Sequence, residues 1–312
     1  MKLDVQALVE LVLVSDGGMK EGVSRRVSSY FTSIGEFLSC TKEQLAGLRS
    51  ASGKPVPLSD SDIMKIIEIS RSGVVSGDLT LVDNYIRTMA RDFARRQVEN
   101  IRALALERLN INPLLVRSLN LRTPLELLEF NVNAAVSRSI VTSMGYFVQR
   151  LLETTSDEVE NVRAGWDLVK RGKDGTNHWI QVKSGPNDMD KDQILYWLEK
   201  IKEVERAGDR GYIGITYGRR DSPAVSLSLM RTYLPDMEVR TLVGKELWDF
   251  LSGDSNFHSR LFDDLRAAAL AILGNKSIQE EINGKVHELL AVFEQRYGSG
   301  EEGVSNYINS IF

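Results

Sequence analysis

Apolar residues recur at helical spacing over most of this chain and give way to short strand-like runs in one stretch only. From the start to about residue 88 the pattern predicts short helices separated by turns that carry glycine and serine. Residues from about 89 to 160 are strongly helical, with DNYIRTMARDFARRQVENIRALALERL stopped by Asn112-Pro113. A second helix is predicted over Thr123 to Val136, with Thr123 as cap and Pro124 in the first turn, and a third includes Ser137 to Glu153. Residues 162–250 alternate strands with helices. The strand candidates are AGWDLVK, HWIQVKS, GYIGITYG and MEVRTLV, and the amphipathic helix MDKDQILYWLEKIKEVERA lies between the second and third. Helices return at about 256–273, 277–297 and 303–311. The pattern is that of an α/β block between helical flanks.

The first region carries an internal repeat. SDGGMKEGVSRRVSSYF and RSASGKPVPLSDSDIMKIIEI each place a glycine-bearing turn before a helix, joined by TSIGEFLSCTKEQLAGL. This resembles a tandem helix-hairpin-helix module, whose tight turns present backbone N–H groups to a DNA phosphate without reading bases. The positions that would do so are Gly17, Gly18, Lys20 and Gly22 in the first turn and Gly53 and Lys54 in the second. The competing reading is a small helical bundle in which the glycines only end helices. The second turn, SASGKPVPLS, is longer and richer in proline than such hairpins usually are.

Composition narrows the function classes. The 312 residues are 42% hydrophobic and 26% charged, an ordinary globular balance. No apolar run approaches the roughly 20 residues that span a bilayer. The first residues, MKLDVQALVELVLV, have acids inside the apolar stretch and no small-residue cleavage site, so a secretory signal is not expected. Cys40 is the only cysteine, which excludes an internal disulfide and a multi-cysteine zinc site, and three histidines argue against a zinc enzyme. A reduced, cytoplasmic setting is expected. The net charge of −4 does not exclude a nucleic-acid partner, because the acid is concentrated at the C-terminus: residues 251–312 hold nine acidic and five basic side chains. Residues 1–110 and 161–250 are each near balance, and Arg95-Arg96 and Arg219-Arg220 remain available for phosphates.

The chemistry concentrates in GWDLVKRGKDGTNHWIQVKSGPN. Asp174-Gly175 signals a hairpin turn between two strands, with Asp167 on the first. Gln181 and Lys183, two apart on the second strand, share one face of the pleat, while Ile180 and Val182 point to the other. A carboxylate and a lysine therefore converge at the open end of the hairpin. Phosphodiester hydrolysis needs that combination, a carboxylate for Mg²⁺ and a lysine to orient or activate water. Taken alone, the pair could also be an ordinary cross-strand ion pair. In the polar loop SGPNDMDKDQ, Asn187, Lys191 and Gln193 carry donors that could reach DNA, or Asn187 and Asp188 could make a turn while Asp190 caps the next helix. His178, Trp166, Trp179, Trp248 and Cys40 read as surface or packing residues.

The D-x13-Q-x-K array resembles the PD-(D/E)XK nuclease motif, with Gln181 where that superfamily usually has an acid. More widely, INPLL, the helix ending GYFVQRLLE, GWDLV, the lysine strand with its KSGPN turn, GYIGITYG and VGKELWDFLSG occur in the order seen in EcoO-type restriction endonucleases, cutters of RGGNCCY, or the related PmeII-type enzymes. The similarity covers roughly residues 92–300. It implies an α/β fold: a PD-(D/E)XK restriction-endonuclease-like core, a central mixed sheet flanked by helices. An all-α helix-hairpin-helix domain at 1–88 would precede a nuclease domain at 89–312 with C-terminal helices. It further implies Mg²⁺ held by Asp167, Gln181, the Val182 carbonyl and Glu153, with Lys183 positioning the nucleophile. The implied enzyme is a homodimer acting on double-stranded DNA, with a cognate DNA methyltransferase in the same restriction-modification system. Two alternatives stay open: a structure-specific repair or recombination nuclease, suggested by the hairpin module, and a catalytically inactive DNA-binding protein, suggested by Gln181.

Overall fold

Side-chain caps start several of the helices in this chain. A computed structural model describes residues 4–50, 52–109, 111–155, 159–161 and 165–311. Ala51 of the second glycine turn, Asn110 before the INPLL segment and Ala164 at the head of the first strand candidate lie outside the described residues. Asp4 caps α1 (Val5–Ser15) by accepting from the Ala7 N–H at 2.8 Å. Then come α2 (Glu21–Ser28) and α3 (Ile34–Leu38). Reciprocal capping boxes start α4 (Lys42–Ala46) from Thr41 and Gln44 and α5 (Asp60–Arg71) from Ser59 and Asp62. The long α6 (Leu81–Arg102) begins where the Thr80 hydroxyl accepts from the Asp83 N–H at 3.1 Å. Asn112 caps the short α7 (Pro113–Ser118). Thr123 accepts from the Glu126 N–H at the head of α8 (Pro124–Glu153), as the Thr-Pro-x-x-Glu pattern predicts.

The helices expected over Thr123–Val136 and Ser137–Glu153 are therefore one. Hydroxyls along it bond back to the preceding turn, Thr142 to the Arg138 carbonyl and Ser143 to that of Ser139, so these side chains find their partners inside the helix.

Next in the chain are β1 (Val159–Asn161), β2 (Leu168–Arg171), β3 (Asn177–Lys183), α9 (Lys191–Arg206) and β4 (Arg210–Ile215). They are followed by α10 (Val225–Tyr233), α11 (Met237–Arg240), β5 (Thr241–Val243) and α12 (Lys245–Ser252). The chain closes with α13 (Phe257–Leu273), α14 (Ile278–Tyr297) and α15 (Gly300–Ile311). The expected strand MEVRTLV is cut in two. Arg240 donates to both Glu205 oxygens and to the Pro235 carbonyl, which ties Met237–Arg240 into a helical turn and leaves only Thr241–Val243 to pair.

The strands form one mixed sheet in the order β1-β2-β3-β4-β5. The first three run antiparallel to their neighbours, and β3, β4 and β5 run parallel. Buried residues of α9 and α10 (Ile194, Leu198, Ile201, Leu227, Met230) share a core with Ile213 and Ile215 of β4. On the other face Leu247 of α12 packs at Gly214 and Ile180; a Cβ at Gly214 would lie 3.0 Å from the Leu247 side chain. The sheet is covered on both faces, as parallel strands require.

The chain divides into a unit of Met1–Ala90 with Gly145–Ala267, which holds the sheet, and a unit of Arg91–Met144 with Ala268–Phe312. The latter is helical, with Val116, Leu127, Leu128, Val132, Phe293 and Tyr307 in its core. These divisions differ from the boundary at residue 88 expected from sequence, which falls inside α6.

Candidate active site

The β2–β3 hairpin closes with a short turn. The Gly172 N–H donates to the Thr176 carbonyl at 2.8 Å, the Gly175 N–H to that of Gly172 at 3.0 Å, and Gly175 takes the positive φ of 83° that the turn needs. The register pairs Leu168 with Ile180 and Arg171 with Asn177, so Asp167, one residue before β2, stands opposite Gln181. Its N–H donates to the Ile180 carbonyl at 3.2 Å and continues the ladder. Alternation then puts Asp167, Gln181 and Lys183 on one face, the α9 side, while Leu168 and Ile180 are fully buried on the other.

Asp167 Oδ2 accepts from Gln181 Nε2 at 2.5 Å and from the Val182 N–H at 2.7 Å. Burial of Asp167 pushes its carboxyl above the usual carboxylate range; the Val182 N–H, the Lys183 charge and the Gln181 amide pull it the other way without cancelling the shift. Gln181 is 8% exposed and Lys183 half-buried. Gln181 Nε2 also approaches the Val182 carbonyl at 3.4 Å. Glu153 is the last residue of α8 and half-buried.

The donor set fits magnesium in kind. Among the described residues no cluster of three or more acids, histidines or cysteines could hold a metal. Magnesium, however, takes one or two carboxylates and completes its shell with water and substrate phosphate. A half-turn of the Gln181 amide exchanges Nε2 for Oε1, which leaves a carboxylate oxygen, an amide oxygen and the Val182 carbonyl together. A half-buried carboxylate with a raised pKa is a group that a cation would relieve.

The other predicted residues have local partners. Asn187 Oδ1 accepts from the Val225 N–H at 2.9 Å and so caps α10, whose own cap residue Ala224 offers no side-chain bond. Gln193 forms a capping box with Asp190 at the head of α9. Lys191 Nζ stands 4.8 Å from the centre of the Tyr233 ring. In the first glycine turn the N–H groups of Gly17, Gly18 and Met19 donate to Val12, Val14 and Leu13 carbonyls at the end of α1. An anion there would face instead the first turn of α2, where Lys20 gives no side-chain cap and Gly22 no side chain. In the second turn the Gly53 N–H donates to the Ser50 carbonyl, and the Lys54 carbonyl accepts from the Ser50 N–H; both Gly53 and Lys54 are exposed.

Sequence reasoning passed over Thr216 and Tyr217. The Thr216 N–H donates to the Lys183 carbonyl at 3.1 Å and its hydroxyl to that of Ser184 at 2.7 Å. Trp248 Nε1 donates to the Thr216 carbonyl at 2.9 Å. The exposed Tyr217 ring lies over Gly185, where a Cβ would come 2.6 Å from its hydroxyl oxygen. Their position directly after a buried parallel strand was the available signal, since the crevice at the carboxyl ends of such strands is where ligands bind.

A mixed sheet covered by helices, with an aspartate and a lysine brought to one face beside the ends of its parallel strands, has the form of a restriction-endonuclease-like core. The family model for the type II restriction endonuclease EcoO109I matches residues 80–271, well over half the chain, and the chain belongs to that family. No curated protein sequence matches it.

Proposed function

We propose that this protein is a type II restriction endonuclease that hydrolyses phosphodiesters of double-stranded DNA at a short specific site, with Mg²⁺ and release of a 5′ phosphate. The convergence of Asp167, Gln181 and Lys183 on one face of the β2–β3 hairpin carries this reading. Asp167, Gln181 through its amide oxygen, the Val182 carbonyl and Glu153 are the candidate magnesium ligands. When bound, the ion would polarise the scissile phosphate and stabilise the leaving oxygen. Lys183 orients the attacking water, and its charge faces the phosphate as negative charge builds there. Thr216 holds the lysine strand's carbonyl end against β4, which fixes where that ammonium points.

The functional unit proposed is a homodimer, so that both strands are cut, with a methyltransferase protecting the same site on host DNA. Residues 1–88 are proposed as a helix-hairpin-helix domain that grips phosphate through the start of α2, and 89–312 as the nuclease domain. One observation favours an inactive DNA-binding protein instead: Gln181 brings no charge and its amide is already bonded to Asp167. A digest of a sequenced plasmid with Mg²⁺, followed by end mapping, separates the readings. Discrete bands support restriction, cutting confined to junctions or flaps supports repair, and no nicking at all leaves the inactive protein. Lys183→Ala should abolish cleavage while DNA binding stays nearly intact, since Lys183 touches at most one phosphate; an active variant overturns the site.

A further inference from the structure

Beyond the lysine strand, a cavity of about 550 Å³ opens at the carboxyl ends of β4 and β5, lined by Arg219, Arg220, Arg231 and Lys245 together with the acids Asp221, Glu238 and Glu246. Its four cations are not equivalent. Arg220 is turned inward, donating to the Thr241 carbonyl at 3.0 Å and pairing with Glu246, so it braces β5. Lys245 pairs with Asp249 and donates to the Ser255 carbonyl. Arg231 spends its hydrogen bonds on the Arg220 and Ser222 carbonyls, which hold the loop without cancelling its charge. Arg219 stands at the rim, 82% exposed, gripped at both ends by Asp221 at 3.0 and 2.8 Å.

We infer that this cavity binds a backbone phosphate of the DNA substrate near the cleaved bond, and that Asp221 occupies Arg219 until that phosphate displaces it. A carboxylate meets a guanidinium with the same two-pronged geometry as a phosphate. The exposed pair is weak in water, so exchanging one anion for the other costs little. Its position suits the task. Thr216 ties the start of this loop to the Lys183 and Ser184 carbonyls, so the cavity and the lysine keep a fixed offset. From β3 across to β5 is two strand spacings, about 10 Å at about 4.8 Å each. That distance lets one strand reach both the lysine and the cavity through phosphates close together along its backbone. Tyr217, exposed between the lysine and the cavity, faces the sugar or base in between. The inference rests on the nuclease reading for the identity of its ligand.

The test measures binding, not cutting. Fluorescence anisotropy with a short labelled DNA duplex, in the Lys183→Ala background without metal, is followed between about 50 and 200 mM salt. Arg219→Ala should weaken binding about tenfold near 0.1 M salt and reduce the slope of log K against log salt by about 0.9, one phosphate's share. Asp221→Asn should tighten binding and leave the slope undiminished. Both side chains are exposed, and a thermal melt confirms that each variant is folded. An unchanged affinity and slope for Arg219→Ala overturns the subsite, as does weaker binding by Asp221→Asn. Wild-type cleavage with Mg²⁺ is scored separately. DNA binding without cleavage defeats the nuclease reading while the slopes still decide the cavity, and no DNA binding at all defeats both.

Discussion

Gln181 is the residue on which this site's behaviour turns. It sits opposite the half-buried Asp167 and donates to it at 2.5 Å, where an acid would instead repel it and call for a cation. Gln181→Glu should therefore lower the Mg²⁺ concentration at half-maximal cleavage, by roughly tenfold if the added charge is worth about 1.4 kcal/mol at the metal. Glu153→Gln should raise it if Glu153 supplies charge that Gln181 lacks. A magnesium titration of all three proteins checks this, and unchanged midpoints in both variants would move the metal away from these side chains. Asp167 adds a pH dependence with a definite sign. Burial raises its pKa, so if Asp167 holds Mg²⁺ as proposed, protons would compete with the ion over a higher range than at an ordinary aspartate, and the Mg²⁺ midpoint should climb as pH falls. Without metal the same shift costs stability above the raised pKa, and the cost is relieved as pH falls through it. Mg²⁺ should thus raise the melting temperature more at mildly alkaline than at mildly acidic pH, and Asp167→Asn should remove most of that difference.

At the scale of elements, local signals were read well and long-range ones poorly. The hairpin was legible from the Asp174-Gly175 turn, and alternation put Gln181 and Lys183 on one face; the register was not, because the loop closes from Gly172 to Thr176 over three residues, which is what sets Asp167 opposite Gln181. The βαβ unit through α9 was legible from its amphipathic period. Met237–Arg240 was not: its extended-looking composition is overridden by Glu205, 35 residues away, which holds Arg240. Thr216 escaped because its role consists of bonds to the carbonyls of another strand. The glycine turns were half legible. The turns stand at these glycines, but the Gly17 and Gly18 N–H groups donate to α1 carbonyls and that of Gly53 to Ser50. Gly17 has a packing reason of its own, since a Cβ there would lie 2.5 Å from Ile69 Cδ1 and 2.6 Å from the Leu13 carbonyl oxygen. Gly17→Ala should destabilise the protein by about 1–3 kcal/mol through overpacking of α1 on α5. A urea melt measures this; a neutral result would mean that the two helices separate at little cost.

At the scale of the whole molecule, the question is where the residues before the family match can be cut away. The family match begins at residue 80, and Thr80 caps α6. A cut at 88, the boundary read from sequence, falls inside that helix and removes Asp83 and Arg87. Arg87 Nε donates to Asp264 at 2.5 Å, and Asp264 is 3% exposed with a second oxygen that has no bond. Burial already raises the Asp264 pKa, and Arg87 is what chiefly restrains the rise. Stranding that carboxylate should cost on the order of 3 kcal/mol, the lower end for breaking a buried pair, because Arg87 is itself partly exposed. Deleting residues 1–79 leaves α6 and its cap whole. Asn84 loses its bonds to the Ser76 N–H and carbonyl but keeps its bond to the Thr80 carbonyl. The shorter deletion should therefore melt well above the longer one. If residues 1–79 grip phosphate as proposed, it should also bind DNA more weakly than the full chain, with a shallower salt dependence, while cutting at the same sequence, because phosphate contacts add affinity without reading bases. Thermal melts and end mapping of both truncations decide it. Equal melting temperatures would remove the Arg87–Asp264 pair from the account, and a changed cleavage sequence in the shorter deletion would mean that residues 1–79 read bases after all.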